Sequence, residues 1–386
     1  MGSNKSTTSS NDSSSTSSRI KRRRAKSVAL SSSTSATANT KATTNSSKTT
    51  TTKSTSTTAY SRNFQQHLID SGVYPDGHEY DDGDSPAEPK NWDEINAILT
   101  RQRRSLSPTN FTKDDFRMFK REDQLVSKEV DIIASVIPII DGDGGRSKCR
   151  GRDYQFTNLS PLTDGSLVIP KPDHFFGARP HQLHPKIREE LSSSIVPSKQ
   201  DDLPLAPNFF LEAKGPDGTP IVAMRQACYD GAFGARGIYA LQSYKQPRPS
   251  YDSNAYTITS TYQTGTLKLY TTHIVGSKDK DSRPEYIMTA LCSYSMTNNI
   301  NTFREGASAY RNLRDWTKEQ RDTMIRAANE RFKESQARAT SPDSPHSNHD
   351  KPIQSVEEAP FVLAEGQEEH ETHDNPNDII VMPTPN

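Results

Sequence analysis

The stretch Asn208-Phe209-Phe210-Leu211-Glu212-Ala213-Lys214-Gly215 reads as a short buried strand that ends in Glu-x-Lys and stops at a glycine. Side chains alternate along a strand with a period of two, so Glu212 and Lys214 point to one face. Placing a carboxylate and an ammonium at the end of a buried strand is costly unless the charges have partners. A divalent metal and a phosphate would be such partners. The triplet by itself carries little information. Glu88-Pro89-Lys90 has the same form but lies in a Pro- and Asp-rich loop with no strand before it.

Context sets Glu212 and Lys214 apart. Upstream, Lys171-Pro172-Asp173-His174-Phe175-Phe176-Gly177 is a second short apolar strand, opened by an acid. Downstream, Gly215-Pro216-Asp217-Gly218 is a turn. Thr219-Pro220 then has the form of an N-cap with proline at the first helical position, and the helix it starts carries Gln226 and Tyr229.

These elements need a domain to hold them. Residues 1–60 are mostly Ser, Thr, Asn and Lys, and 341–386 are rich in Pro, Glu, His and Asn; both are expected to be disordered. Residues 61–340 are left for one α/β domain. The net charge of zero conceals an asymmetry: 1–60 hold ten Lys or Arg against Asp12, and 341–386 hold ten acids against Lys351. The core is balanced, which counts against a dedicated nucleic-acid binder. Cys149, Cys228 and Cys292 lie far apart, without zinc-ligand spacing, and are read as thiols of a reducing compartment. No apolar run is long enough to span a membrane, and no signal-peptide core is present.

Along the core, short helices are expected at 62–71 and 91–100, then a capped helix from Thr112 to about Val130. Ile132–Ile140, short and β-branched, reads as a strand. Asp141-Gly142-Asp143-Gly144-Gly145 lacks the glycine and glutamate of a calcium loop, since the corresponding positions are Arg146 and Arg152, and it reads as a turn. Leu167–Ile169 and His174–Gly177 are expected strands, and 185–195 an inserted helix. In the helix from Pro220 to about Tyr244, Gly231, Gly234 and Gly237 recur at a spacing of three, which suits close helix packing. Residues 256–262 and 267–272 form an expected hairpin, Tyr286–Tyr294 a strand, and Phe303–Ala337 a long helix whose many charges mark a solvated face.

The order of helix, strand, Pro-Asp strand, Glu-x-Lys strand, Gln-bearing helix and further strands resembles the PD-(D/E)xK nuclease superfamily. The wider core resembles a fungal family of uncharacterised proteins, related in pattern to the nuclease-like domains of Crinkler-type effectors. That resemblance is carried by Asn63-Phe64-Gln65-Gln66-His67-Leu68, Asn91-Trp92-Asp93-Glu94-Ile95, Ser105-Leu106-Ser107-Pro108, Asp201-Asp202-Leu203-Pro204 with Pro207-Asn208-Phe209-Phe210, and Ala309-Tyr310-Arg311-Asn312. It implies an α+β, restriction-endonuclease-like fold: a mixed central sheet flanked by helices. It also implies a magnesium site in which Asp173 and Glu212 are ligands, Ala213 lends its carbonyl and Lys214 serves the attacking water. Gln226 matches a helix glutamine of some members, and Glu122 or Glu129 would complete the site. Asp173 lies 39 positions before Glu212, which requires an insertion, and Asp164 is the alternative first acid.

Two functions follow as expectations: a nuclear magnesium-dependent phosphodiester hydrolase acting on nucleic acid, or an inactive nuclease-like scaffold for nuclear protein interactions. In the acidic tail, Ile379, Ile380 and Val381 follow a run of acids and resemble motifs that add a strand to a small ubiquitin-like modifier. In the basic tail, Arg19-Ile20-Lys21-Arg22-Arg23-Arg24-Ala25-Lys26 has the composition of a nuclear import signal read by an import receptor. Replacing Arg22, Arg23 and Arg24 with Ala is expected to leave a fluorescent fusion of the whole chain in the cytoplasm. An unchanged nuclear signal would remove the import assignment.

Overall fold

The computed structural model describes residues 56–142, 149–200, 202–277 and 283–340. The import cluster at Arg22, Arg23 and Arg24, the segment Ile379, Ile380 and Val381, and residues 1–55 and 341–386 of the two tails lie outside the described residues. Residues 56–60, expected to belong to the disordered tail, instead pack on the domain, with Ala59 buried and Thr57 bridged to Leu167. The described elements form a seven-stranded mixed sheet with helices on both faces, an α+β arrangement.

In chain order the elements are α1 (Asn63–Ile69), β1 (Val73–Tyr74), α2 (Trp92–Leu99), α3 (Lys113–Leu125), α4 (Glu129–Asp131), a π turn (Ile132–Val136), α5 (Ile137–Asp141), β2 (Arg150–Gly151) and β3 (His174–Ala178). After them come α6 (Pro185–Glu190), α7 (Ser192–Ile195), β4 (Leu205–Lys214), α8 (Pro220–Ser243), β5 (Ala255–Gln263), β6 (Thr266–Val275), β7 (Glu285–Ser295) and α9 (Ile300–Thr340). The sheet order is β1-β7-β6-β5-β4-β3-β2. β4 is antiparallel to β3 and parallel to β5. A parallel pair needs a crossover, and α8 supplies it.

All ten residues of β4 are buried, as expected for a strand covered on both faces. Phe210 joins the core under α1 and α8, while Phe209, Leu211 and Ala213 join the core under α2, α3 and α9. The β5–β6 hairpin turns at Thr264 and Gly265, with φ of +48° and +72°. Positive φ at both central residues gives the turn the twist of the flanking strands.

α8 lies close against the sheet because its glycines remove the side chains that would hold it off. A Cβ on Gly231 would collide with Thr272 Oγ1, and one on Gly234 would sit 2.7 Å from the Phe210 ring and from Thr257 Cγ2. The glycine spacing therefore serves packing, as the sequence suggests.

Three expectations need correction. Ile132–Ile140 is helical: the π turn and α5 bury Ile132, Val136, Ile137 and Ile140 at helical spacing, and this periodicity outweighs the β-branched composition. Leu167–Ile169 is not a strand; Leu167 makes only an isolated bridge to Thr57. The charges of α9 are not all solvated, since Arg311, Arg314 and Arg321 are buried. Arg311 donates to the carbonyls of Ile140 at 2.8 Å and Ile139 at 2.9 Å. Arg314 donates to the carbonyl of Asp141 at 2.8 Å and pairs with its carboxylate. The end of α5 leaves carbonyls without partners, and these guanidinium groups supply the donors.

Gly234→Ala is expected to destabilise the domain by ~1–3 kcal/mol, because the added methyl has no space between α8 and β4. Urea denaturation followed by circular dichroism checks this, and an unchanged midpoint would show that α8 can shift away without cost.

Candidate functional site

The end of β4 and the start of β3 bring the charged residues together. His174 pairs with Leu211, so the next step of the antiparallel register sets Asp173 opposite Glu212. Asp173 Oδ2 accepts from the Ala213 N–H at 2.8 Å, and the Asp173 N–H donates to Glu212 Oε1 at 3.4 Å. Lys214 lies two residues beyond Glu212 on the same face. Its Nζ is 3.7 Å from Asp173 Oδ2 and 3.7 Å from Glu212 Oε2, and it donates to the Ala213 carbonyl at 2.7 Å. Asp173, Glu212, Lys214 and the Ala213 carbonyl thus converge as the sequence suggests.

Two further acids complete the cluster. Glu129, the first residue of α4, accepts from Lys214 Nζ at 2.9 Å. It reaches this position because the turn at Gly215 has no side chain: a Cβ there would sit 3.3 Å from the Glu129 nitrogen. Of the two glutamates the resemblance allows, it is Glu129 and not Glu122 that meets Lys214. The second acid, Asp230, is buried on α8 and interacts with Glu212. Gln226 precedes Asp230 by one helical turn on the same flank of α8. Its Oε1 is buried and has no hydrogen bond. Asp164 is elsewhere, in an exposed loop, where it accepts from the Ser166 N–H at 2.9 Å. The turn after Lys214 is the expected one: the Gly218 N–H donates to the Gly215 carbonyl at 2.9 Å.

The sequence reading did not single out Asp230. A signal for it exists. It is the acid on an otherwise apolar, glycine-lined flank of α8, four residues after Gln226 and adjacent to Gly231. A carboxylate placed there must be buried against the sheet.

Electrostatics separates this cluster from an ordinary ion pair. Four carboxyl groups face one ammonium, and only Glu129 has a substantially exposed side chain, at 40%; that of Lys214 is 3% exposed and that of Glu212 1%. Burial, partly offset by Lys214, pushes the Asp173 carboxyl up to about 7. Burial likewise pushes Asp230 up to about 7, with its contact to Glu212 acting the other way. Glu212 is raised well above the usual carboxylate range, by burial first and then by the charges of Asp173 and Asp230. Ionised carboxylates only accept hydrogen bonds, and Glu212 Oε2 and Asp230 Oδ2 have no donor. A proton held by Glu212 turns their contact into a hydrogen bond; a cation would satisfy the same oxygens.

The donor set, carboxylate oxygens with one backbone carbonyl, is that of a hard divalent ion such as magnesium. The orphaned oxygens of Glu212, Asp230 and Gln226 fit this chemistry. Among the described residues, however, no group of three or more His, Cys, Asp or Glu side chains already stands in metal-holding geometry. The Lys214 ammonium lies between the carboxylates, so a bound ion requires that side chain to swing aside. No family model, curated protein or solved structure matches this chain. No helix of the described residues is long and apolar enough to cross a membrane.

Folding raises Asp173 and Asp230 from the ordinary aspartate value near 3.8 to about 7. Between these values the folded chain holds protons on Asp173 and Asp230 that the unfolded chain has released, so these two groups make stability fall as pH rises through this window. Asp230→Asn, which keeps the shape but cannot titrate, is expected to flatten part of this fall. Melting temperatures of the two proteins from pH 4 to 8, without added metal, test it; parallel curves would dissociate Asp230 from the titration.

Proposed function

We propose that the chain is a magnesium-dependent phosphodiester hydrolase of the PD-(D/E)xK type, acting on nucleic acid in the nucleus. One observation carries this reading: Asp173, Glu212, Lys214 and the Ala213 carbonyl meet at the junction of β3 and β4 with an excess of buried negative charge. The topology supports it. The Asp173 strand lies antiparallel beside the Glu-x-Lys strand, and the Gln226 helix crosses over to a strand parallel to it. This order is the one the superfamily resemblance implies for a restriction-endonuclease-like core.

In this reading Asp173, Glu212 and the Ala213 carbonyl would hold magnesium, which would supply Lewis acidity at the phosphate and activate a water. Asp230 buttresses Glu212 from α8 by sharing its proton, or by fixing its carboxylate once that proton has left. Lys214 turns from the carboxylates toward the attacking water, where its ammonium orients a lone pair and stabilises the charge building on phosphorus-bound oxygen. Glu129 keeps the ammonium within reach of the site by pairing with it at the exposed rim. Gln226, with a free buried oxygen, is positioned to fix the same water or the ion.

A second reading has one observation in its favour. Lys214 is already satisfied by Glu129 and the Ala213 carbonyl, so the cluster is also self-consistent as the closed core of an inactive scaffold.

The full chain is expected to cleave an oligonucleotide with magnesium or manganese and not with EDTA. Lys214→Ala and Glu212→Gln should each lower the rate by ~100-fold or more, with melting temperatures showing that the domain still folds. Neither cleavage nor metal binding by calorimetry in the parent chain would leave the scaffold reading.

A further inference from the structure

A groove of about 980 Å³ opens at the outer edge of the sheet, and the carboxylate cluster is not part of it. Arg150 and Arg152 from β2 and its end, Arg179 after β3, and Arg188 on α6 line it together with Tyr154, and Asp202 is its one acid among the described residues. Four guanidinium groups thus share one concave surface. Arg150 is 3.8 Å from Asp141 Oδ2, an ion pair at the limit of contact. Among the described residues no carboxylate comes within 4 Å of Arg152, Arg179 or Arg188. The Nε atoms of Arg152 and Arg188 are buried and have no hydrogen-bond acceptor. Buried guanidinium nitrogens are normally paired, and a cluster left without acceptors at the mouth of a groove is matched to an incoming anion with several oxygens.

The position relates the groove to the site. β2 pairs with β3 through Arg150↔Phe176 and Gly151↔Phe175, so the next step sets Arg152 beside His174, the neighbour of Asp173. The Asp153 N–H donates to the Pro172 carbonyl at 3.2 Å and holds this edge against the loop that leads into Asp173. Gly151 faces the Phe175 ring on the α8 side, and its neighbours Arg150 and Arg152 therefore point to the other side of a two-residue edge strand. A polymer lying in the groove needs to pass only this thin edge to reach Asp173. Tyr154, with 40% of its surface exposed, stands at the same edge. An exposed aromatic beside a row of arginines suits an unstacked base and its phosphates; a duplex would offer the phosphates without a free base face.

We propose that this groove holds the backbone of a single-stranded nucleic acid, with Arg152 and Arg188 on phosphates and Tyr154 stacked on a base. It deepens the phosphodiesterase reading, on which it rests for the identity of the polymer. Binding itself needs no metal, and so it can be tested apart from cleavage.

The test is fluorescence anisotropy in EDTA with a labelled 20-nucleotide oligo(dT) and a labelled 20-base-pair duplex. The full chain is used with Arg22, Arg23 and Arg24 changed to Ala throughout, so that the basic tail does not mask the groove. Arg152→Ala/Arg188→Ala is expected to weaken oligo(dT) binding by ~10-fold or more. It should also reduce the slope of log K against log salt by about 1.4, since each phosphate contact on a single strand contributes ~0.7. Arg152→Lys/Arg188→Lys should restore most of that slope, which a folding defect would not allow. Tyr154→Ala should weaken oligo(dT) binding by at least ~5-fold and leave the duplex unaffected. The proposal is overturned by an unchanged affinity and slope in the double Ala variant, by a lysine variant of parental melting temperature that binds no better than the alanine one, or by equal losses for oligo(dT) and duplex on Tyr154→Ala. A doubly phosphorylated peptide that binds the parent more tightly than oligo(dT) would overturn it in favour of a protein ligand. Groove-dependent binding without any metal-dependent cleavage would support the groove and remove the hydrolase. Metal-dependent hydrolysis of bis(p-nitrophenyl) phosphate that persists while oligo(dT) binding ignores the arginines would do the reverse.

Discussion

The fold is organised around a buried ammonium held among an excess of carboxylates. Lys214 ends a strand whose ten residues are all buried, and it shares its surroundings with Glu212, Asp173 and Glu129. Removing ions from water costs several kcal/mol each, and only close opposite charges offset that. Each neighbouring element meets this demand. The register of β3 delivers Asp173, and the glycine turn after Lys214 admits α4 with Glu129. The glycines of α8 let Asp230 descend onto the sheet. A loosened contact at any of these positions would leave a charge uncompensated in the interior, a larger penalty than the loss of a typical apolar contact.

The two faces of the sheet differ in the kind of buried polar group they hold. Under α9 several amide and guanidinium groups are given carbonyl partners, although Tyr310 Oη and Arg321 Nε are buried without one. Asn208 donates to the carbonyls of Tyr256 at 2.8 Å and Thr317 at 2.9 Å, and Asn312 donates to those of Ile98 at 3.1 Å and Arg101 at 2.7 Å. Such a network fixes one arrangement of α2, β4, β5 and α9. Under α8, Glu212 Oε2, Asp230 Oδ2 and Gln226 Oε1 have no donor, and the nearby acids are raised toward neutrality. Stability alone would favour apolar replacements there. Retaining a surplus of buried carboxylates makes sense where something outside the chain, a cation or a proton in transit, completes them.

The legible part of this structure was the part in which local pattern and tertiary environment agree. β4 is apolar until its last turn and its charges alternate, so both the strand and the shared face of Glu212 and Lys214 could be read directly. The same holds for the Thr264-Gly265 hairpin and for the glycine flank of α8. Ile132–Ile140 misled because β-branched residues favour strands only when nothing else decides, and here burial against α9 at helical spacing decided. Arg311 and Arg314 were unreadable for a different reason. A charge on a long helix says nothing about whether the unpaired carbonyls of another helix lie opposite it. Asp230 falls between these cases: its position four residues after Gln226 was visible, but the need for a second acid beneath Glu212 was not.

β3 is where these demands meet, and its brevity matters. With five residues, all buried, it is too short to keep its two ends apart. At its first end Asp173 enters the carboxylate cluster on the α8 side. At its far end Arg179 opens onto the arginine groove, and along its free edge lies β2, only two residues long. Opposite fields therefore sit a few residues apart: an acid-rich interior that attracts cations and an arginine-rich edge that attracts anions. A polyanion held at the edge would be repelled by bare carboxylates and less so once a cation had neutralised them. The same short strand that forces the acids together thus sets them a few residues from the arginine edge.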